Sequence, residues 1–154
     1  MDFPDKWAAI VWMCRNQLGR RNITDEVRTV LIGEAYRAQK MSVGNHAEKQ
    51  RDDNGQFAVC AQSGHIRQRT AEKIANDFFV GRETVKRAEH FVDGLDSAEK
   101  VSPGFRDSIL TGEVKSPKEV IREIRNIPEE KRTAAVEAIK SGNIAGAKEI
   151  IKKL

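Results

Sequence analysis

Apolar and polar residues between positions 70 and 92 alternate at helical spacing over two short adjoining segments. The first segment, which Thr70 is suited to cap, carries Ala71, Ile74 and Ala75 on one face. The second, which Gly81 is suited to cap, places Val85, Ala88 and Val92 inward. Residues 76–80 would form the turn. This pattern predicts two helices that cross closely at the small residue Ala75, as in a helix-turn-helix.

The outward positions of the second predicted helix are polar and mostly basic. We expect them to meet base edges or nearby phosphates of duplex DNA, and they are Arg82, Glu83, Thr84, Lys86, Arg87 and His90. Arg67, Arg69 and Thr70 precede or open the first helix and are expected to contact the DNA backbone. Helical bundles also contain such pairs, and an outward Lys–Arg pair is often only a solvated face. The pattern alone therefore leaves packing and DNA reading open.

The chain before this pair predicts two further helices. The first runs from Pro4 to Leu18, closes at Gly19 and is apolar over more than one face, so it either lies deep in the bundle or needs a second surface. That surface would be a dimer partner or a missing domain. The second helix is capped by Thr24 and runs to about Met41. Between the helices, Arg20 and Arg21 are either phosphate contacts or solvated arginines.

A polar connector over residues 42–69 separates these helices from the pair. After the pair, Asp93–Gly94 predicts a turn, residues 96–101 a short helical piece, and residues 103–110 another helix. The tail contains a repeat, because residues 109–114 and 118–124 are echoed by 139–144 and 148–154. Each copy consists of the end of one predicted helix, a glycine, a short link and a new predicted helix. A unit of this size must pack on the helix pair or on another subunit.

Composition narrows the class of protein only modestly. The 154 residues include 27 Lys and Arg against 23 Asp and Glu, which permits a nucleic-acid partner without requiring one. No apolar run approaches the roughly 20 residues of a membrane span, and no signal peptide is evident, so we expect a cytoplasmic protein without membrane contact. Cys14 and Cys60 form no paired motif and are expected to be reduced thiols.

Catalytic and metal-binding patterns are not recognisable in the sequence. No Ser/His/Asp or Cys/His grouping has a familiar spacing, and no glycine-rich loop is suited to a phosphate. Cys60 and His65 lack a second pair of ligands for zinc. We therefore expect no enzyme activity, no metal and no cofactor.

Three stretches resemble the ParB/KorB-like DNA-binding proteins of plasmid partition and mobile elements. Residues 70–92 resemble that family's helix-turn-helix, with Thr-Ala opening the first helix and Thr-Val-x-Arg along the second. The NQLGRRNIT stretch, Asn16–Thr24, is similar to the segment that closes the family's nucleotide-handling domain, and residues 105–124 to the short helices that follow the pair. The resemblance implies sequence-specific binding of double-stranded DNA.

Several positions depart from the family pattern. Phe79 replaces the turn glycine and Gly81 replaces the serine that usually caps the reading helix, which predicts a wider turn. Asn16 and Arg20 match phosphate-contacting positions, but Arg15 stands where a glutamate is expected and Leu18 or Gly19 where a glutamine is. The earlier boxes of the nucleotide domain are absent. We therefore expect no CTP binding or hydrolysis, and a fragment of a longer protein or a natural short form.

The sequence thus predicts an all-α protein, a helical bundle with a central helix-turn-helix. Residues 1–41 would be N-terminal helices, 42–69 a flexible connector, 70–111 the DNA-binding core and 112–154 a helical extension. The expected function is sequence-specific DNA binding in plasmid or mobile-element partition or regulation, as a homodimer or with a missing domain. The alternative is a protein–protein adaptor, with the first helix and the tail as its working surfaces and the helix-turn-helix as inherited scaffold.

Overall fold

A computed structural model describes residues 2–20, 22–46 and 70–152. Within them all regular structure is α-helical, which confirms the predicted fold class. The helices in chain order are α1 (Lys6–Leu18), α2 (Asp25–His46), α3 (Thr70–Asp77), α4 (Arg82–Val101), α5 (Phe105–Thr111), α6 (Lys118–Ile124), α7 (Glu129–Lys140) and α8 (Ile144–Lys152).

Side-chain caps fix the starts of the first two helices. Asp5 caps α1 because its Oδ1 accepts the amide of Ala8 at 2.7 Å, so the helix begins after Asp5 rather than at Pro4. Thr24 caps α2 as predicted, accepting the amide of Val27 at 3.3 Å. The predicted end of α2 near Met41 was too early. The helix continues to His46, and so takes in the first residues assigned to the polar connector.

The predicted turn at Asp93–Gly94 was wrong, because α4 continues unbroken from Arg82 to Val101. Gly94 is buried, and a Cβ built on it would lie 1.9 Å from the carbonyl oxygen of Ile121 in α6. The glycine is therefore needed where two helix backbones approach closely rather than where the chain turns. The separate helical piece predicted at residues 96–101 is the last part of this same helix.

The repeated unit of the tail is present in the structure. Gly112 follows α5 with φ 81°, and Gly142 follows α7 with φ 78°, so each glycine ends its helix in the left-handed conformation. Pro117 and Pro128 stand directly before α6 and α7. The buried faces of α6 and α7 pack on α4, one of the two packing partners that the repeat was expected to need, and α8 packs on α6 and α7 in the same apolar cluster.

Two apolar clusters form the interior, and they meet along α4. The first cluster joins α1, α2, α3 and the start of α4, and its buried members are Cys14, Ile32, Ala35, Ile74, Ala75, Phe78, Val85 and Ala88. The second joins the rest of α4 to α5–α8 and to Val30 of α2, and its largest fully buried members are Phe91, Leu95, Phe105, Ile121, Ile124, Ile127 and Ile139. The domain boundaries predicted from the sequence stay a prediction.

A network of ion pairs ties α2 and α5 to the middle of α4. Arg37 of α2 contacts Asp93 and donates to Asp96 Oδ2 at 2.7 Å. Arg106 of α5 donates to Asp96 Oδ1 at 2.8 Å and to Glu34 Oε1 at 2.9 Å. Burial alone would lower the pKa of Arg37, but the hydrogen bonds to the two aspartates outweigh it and raise the pKa. The network holds α2 and α5 against the middle of α4.

None of the described helices combines the length and apolar character required to cross a membrane.

Candidate nucleic-acid interface

The connection between α3 and α4 is a tight turn with one unusual residue. The amide of Val80 donates to the carbonyl oxygen of Ala75 at 2.9 Å, and the amide of Phe79 to that of Asn76 at 3.4 Å. This pair of bonds is the Schellman pattern that ends a helix, and it requires a left-handed residue at Phe79. Phe79 adopts it, with φ 54°. The predicted widening of the turn was therefore wrong, and only residues 78–81 separate the helices.

The two phenylalanines of this turn differ sharply in exposure. Phe78 is 6% exposed and belongs to the first apolar cluster, whereas Phe79 is 91% exposed. A non-glycine residue in the left-handed region costs about 1–2 kcal/mol. Burial of the Phe79 ring does not offset this cost. The conformation is held by the turn hydrogen bonds and by the buried neighbour.

The inward and outward faces of α4 are divided as the sequence predicted. Val85, Ala88 and Val92 are buried, with at most 1% exposure. Of the candidate residues on the other face, Arg82, Glu83, Thr84 and Arg87 are exposed, and Lys86 and His90 are half-buried. Gly81 stands before Arg82 as the N-cap, as predicted, and provides no side-chain bond to the free amides of the first turn.

The charges on this face form loose, solvent-exposed pairs. Lys86 Nζ donates to Glu83 Oε1 at 3.2 Å, and this hydrogen bond, aided by the charges of Lys86, Arg82 and Arg87, lowers the pKa of Glu83. Arg82 lies 3.5 Å from Glu72 Oε1 and 3.7 Å from Glu83 Oε1. Solvent screens pairs this exposed, so their cations can take other anions at little cost.

Arg87 differs from its neighbours because its guanidinium has no ion pair or hydrogen bond with any other described residue. It projects into solvent two turns along α4, on the side opposite the buried stripe. Among the described cations on the outward face of α4 it is the one most available to an external partner.

A shallow pocket of about 410 Å³ brings α2 to the same surface. Thr70, Arg82 and Lys86 line it together with Tyr36 and Lys40 of α2. Lys40 pairs with Glu89 and places its Nζ 4.7 Å from the centre of the Tyr36 ring. Neither α2 residue was predicted, because their proximity to α4 depends on how the helices pack and leaves no signal in the local sequence.

The remaining candidates are divided between another surface and undescribed positions. Arg20 is exposed at the end of α1, beside a second groove rather than on α4. Arg21, Arg67 and Arg69 lie outside the described residues, so their predicted phosphate contacts stay predictions.

No protein-family model, curated protein or solved structure matches this chain. The resemblance to ParB/KorB-like proteins consequently stays a prediction, and the candidate interface is argued from its own side chains.

Reactive groups elsewhere in the described chain are few. Within residues 2–20, 22–46 and 70–152, no three His, Cys, Asp or Glu side chains are grouped so that they could hold a metal ion. Cys14 is buried, and this burial, with a smaller contribution from Glu34, raises the pKa of its thiol to about 11. The thiol therefore stays protonated at neutral pH, where a cysteine nucleophile would need to be a thiolate.

Proposed function

We propose that this protein binds double-stranded DNA by inserting the first turns of α4 into the major groove. The observation that carries the proposal is the division of α4 into a fully buried stripe and an outward face with three cations, Arg82, Lys86 and Arg87. The helix has 20 residues and is therefore about 30 Å long. The major groove of DNA is about 12 Å wide and can accept the N-terminal end of such a helix.

The side chains on this face suit both kinds of DNA contact. The free guanidinium of Arg87 is suited to the two acceptors of a guanine edge, and Glu83 can accept from the amino group of cytosine. Arg82 and Lys86 are held only by exposed pairs and are available for phosphates. The uncapped amides at the start of α4 favour a phosphate in the same place. Arg67, Arg69, Thr70 and His90 would add further contacts.

The biological setting in this proposal comes from the sequence resemblance. A role in plasmid or mobile-element partition or regulation implies a cytoplasmic protein associated with plasmid or nucleoid DNA. A homodimer would place two copies of α4 on the duplex. Its preferred site would then contain two half-sites related by symmetry.

The test is selection of bound duplexes from a randomised DNA pool at low and at moderate salt. An enriched motif, with an inverted repeat if the protein dimerises, is the expected result. Binding without enrichment that disappears at the higher salt would indicate phosphate contacts alone and would refute sequence reading. Absence of binding at both salts would refute the proposal.

Matched substitutions test whether duplex binding depends on the outward face of α4. Arg87→Ala should weaken duplex binding with little change in thermal stability, because the residue is exposed and unpaired. Lys148→Ala removes one exposed positive charge from α8 and should leave binding nearly unchanged. Equal losses in the two variants would show that only net charge matters. Val85→Asp should instead unfold the helix pair, because it buries an unpaired charge.

A second candidate function, a protein–protein adaptor, is favoured by the exposed apolar surface of α1. Trp12 is 43% exposed and Met13 50%, and the ring of Phe3 lies 5.6 Å from that of Trp12. The apolar faces of the tail repeat are covered within the fold, so they support an adaptor function less than the exposed surface of α1 does. Sedimentation velocity of the native chain and of Trp12→Glu tests it. A self-association that Trp12→Glu abolishes would support an α1 interface, and a native monomer would count against it.

A further inference from the structure

A second groove lies between the end of α1 and the turn that joins α3 to α4. It has a volume of about 260 Å³ and is here called the turn groove; its lining is Arg15, Leu18, Gly19, Arg28, Asp77, Phe78 and Phe79. Ligand pockets for small molecules usually occupy about 300–1,000 Å³. The turn groove is therefore suited to one flat group with extensions into solvent rather than to a whole cofactor.

The aromatic side of the groove has no structural explanation in the described chain. Phe79 occupies a left-handed position that glycine would fill without strain, and its ring is almost fully in water. Neither the backbone nor the core thus requires an aromatic side chain there. Strained positions of this kind concentrate where a protein holds a ligand.

The charged side of the groove carries two arginines against one aspartate. Arg15 and Arg28 are both exposed, and within the described residues neither guanidinium has an ion pair or a side-chain hydrogen bond. Arg20, the residue after Gly19 in the chain, is also exposed. Asp77 is the one acidic side chain among the lining residues. An anionic ligand with a flat apolar face complements this combination.

We propose that the turn groove binds a short single-stranded stretch of nucleic acid. One unpaired base stacks on the ring of Phe79, and the flanking phosphates lie against Arg15 and Arg28. Aromatic rings combined with a cationic groove are the usual means of holding single strands, because every base has a stacking face. An acidic peptide would use the arginines but gain little from an exposed, strained ring. This site is separate from the outward face of α4 and does not depend on duplex binding.

The test is fluorescence anisotropy with a labelled twelve-nucleotide oligothymidylate and, in parallel, a blunt-ended duplex of two annealed strands without unpaired bases. Phe79→Ala should weaken binding of the single strand about tenfold, since stacking on one aromatic side chain is worth roughly that factor or more. Phe79→Trp should retain binding, whereas Phe79→Leu, apolar but without a stacking face, should lose it. Arg28→Ala should also weaken binding and reduce its salt dependence.

Two controls separate this site from α4 and from failed folding. Arg87→Ala should leave single-strand binding unchanged, and Phe79→Ala should leave binding of the blunt-ended duplex unchanged. Phe79→Gly removes the ring and the backbone strain together, so it should raise the melting temperature while losing single-strand binding. A chain with reduced binding and increased stability cannot owe its loss to unfolding.

Three results would overturn the assignment. The first is a native chain that does not bind the oligothymidylate at low salt. The second is a Phe79→Leu variant that binds it as tightly as the native chain does. The third is competition by a twelve-residue polyglutamate peptide at the same concentration as the unlabelled oligonucleotide, which would make the groove a general anion site or a peptide site.

Discussion

Replacing Gly94 by alanine should destabilise the protein although alanine is the better helix former. The new Cβ would lie 1.9 Å from the Ile121 carbonyl oxygen, 2.7 Å from its carbonyl carbon and 3.2 Å from Arg122 Cα. Favourable separations between such atoms are about 3.5–4.0 Å. All three obstacles are backbone atoms, so no side-chain rotation relieves the clash and α6 must move away from α4.

The expected magnitude follows from two opposing effects. Overpacking of a well-filled interior costs about 1–3 kcal/mol, and a backbone obstacle at this distance places Gly94→Ala at the upper end. Alanine in a helix interior regains about 0.5–1 kcal/mol over glycine. The net loss is therefore about 2 kcal/mol in the free energy of unfolding. In a chain of this size it lowers the melting temperature by roughly 4–8 °C.

Urea denaturation followed by circular dichroism at the helical band measures this change. Gly19→Ala is the matched control, because Gly19 has φ −70° and a Cβ there would meet nothing nearer than the Asn16 carbonyl oxygen at 3.4 Å. That variant should be slightly more stable than the native chain, by about 0.4–1 kcal/mol. Equal or greater stability of Gly94→Ala would refute the close crossing of α4 and α6.

Three further predictions concern charged and titratable groups. Arg37→Met should lower stability by about 1 kcal/mol in urea titrations, because two partly exposed aspartates of α4 lose their shared partner while Arg106 still holds Asp96. In a Cys60→Ser background, Cys14 should react with a thiol reagent at pH 8 only after unfolding, since its raised pKa keeps the thiol protonated. The free energy of unfolding should fall between pH 9 and pH 11, because in that range the unfolded chain loses the thiol proton more readily than the folded chain does. Glu99→Gln should reduce stability near neutral pH, because the backbone amides of Arg106 and Gly104 bond to the Glu99 carboxylate and lower its pKa. This contribution disappears as pH falls through the folded-state pKa, so the stabilities of the variant and the native chain should converge in acid.

Local patterns in the sequence predicted those elements that depend on residues about one helical turn apart. The stripe of Val85, Ala88 and Val92 and the cap at Thr24 are examples, since each depends on residues a few positions apart. Gly94 misled the prediction because a glycine read alone signals a turn. Its actual role depends on Ile121, which becomes a neighbour only when α6 folds back on α4.

The candidate sites were predictable to different degrees. The outward position of Arg87 follows from helical periodicity alone. The turn groove could not be predicted, because Arg15, Arg28 and Phe79 come from three separate parts of the chain. The left-handed backbone of Phe79 was also hidden, since a phenylalanine gives no indication that it replaces a glycine.

The sharing of α4 between the two apolar clusters has a consequence for synthesis on the ribosome. When residues 70–111 have emerged, the first half of α4 already has its partners in α1, α2 and α3. The second half, with Phe91 and Leu95, then has Val30 of α2 and the residues of α5 as partners, but its cluster is completed only by α6 to α8. The nascent chain therefore exposes part of the apolar face of α4 until α8 has emerged. During that interval we expect it to be a substrate for chaperones that hold exposed apolar helices.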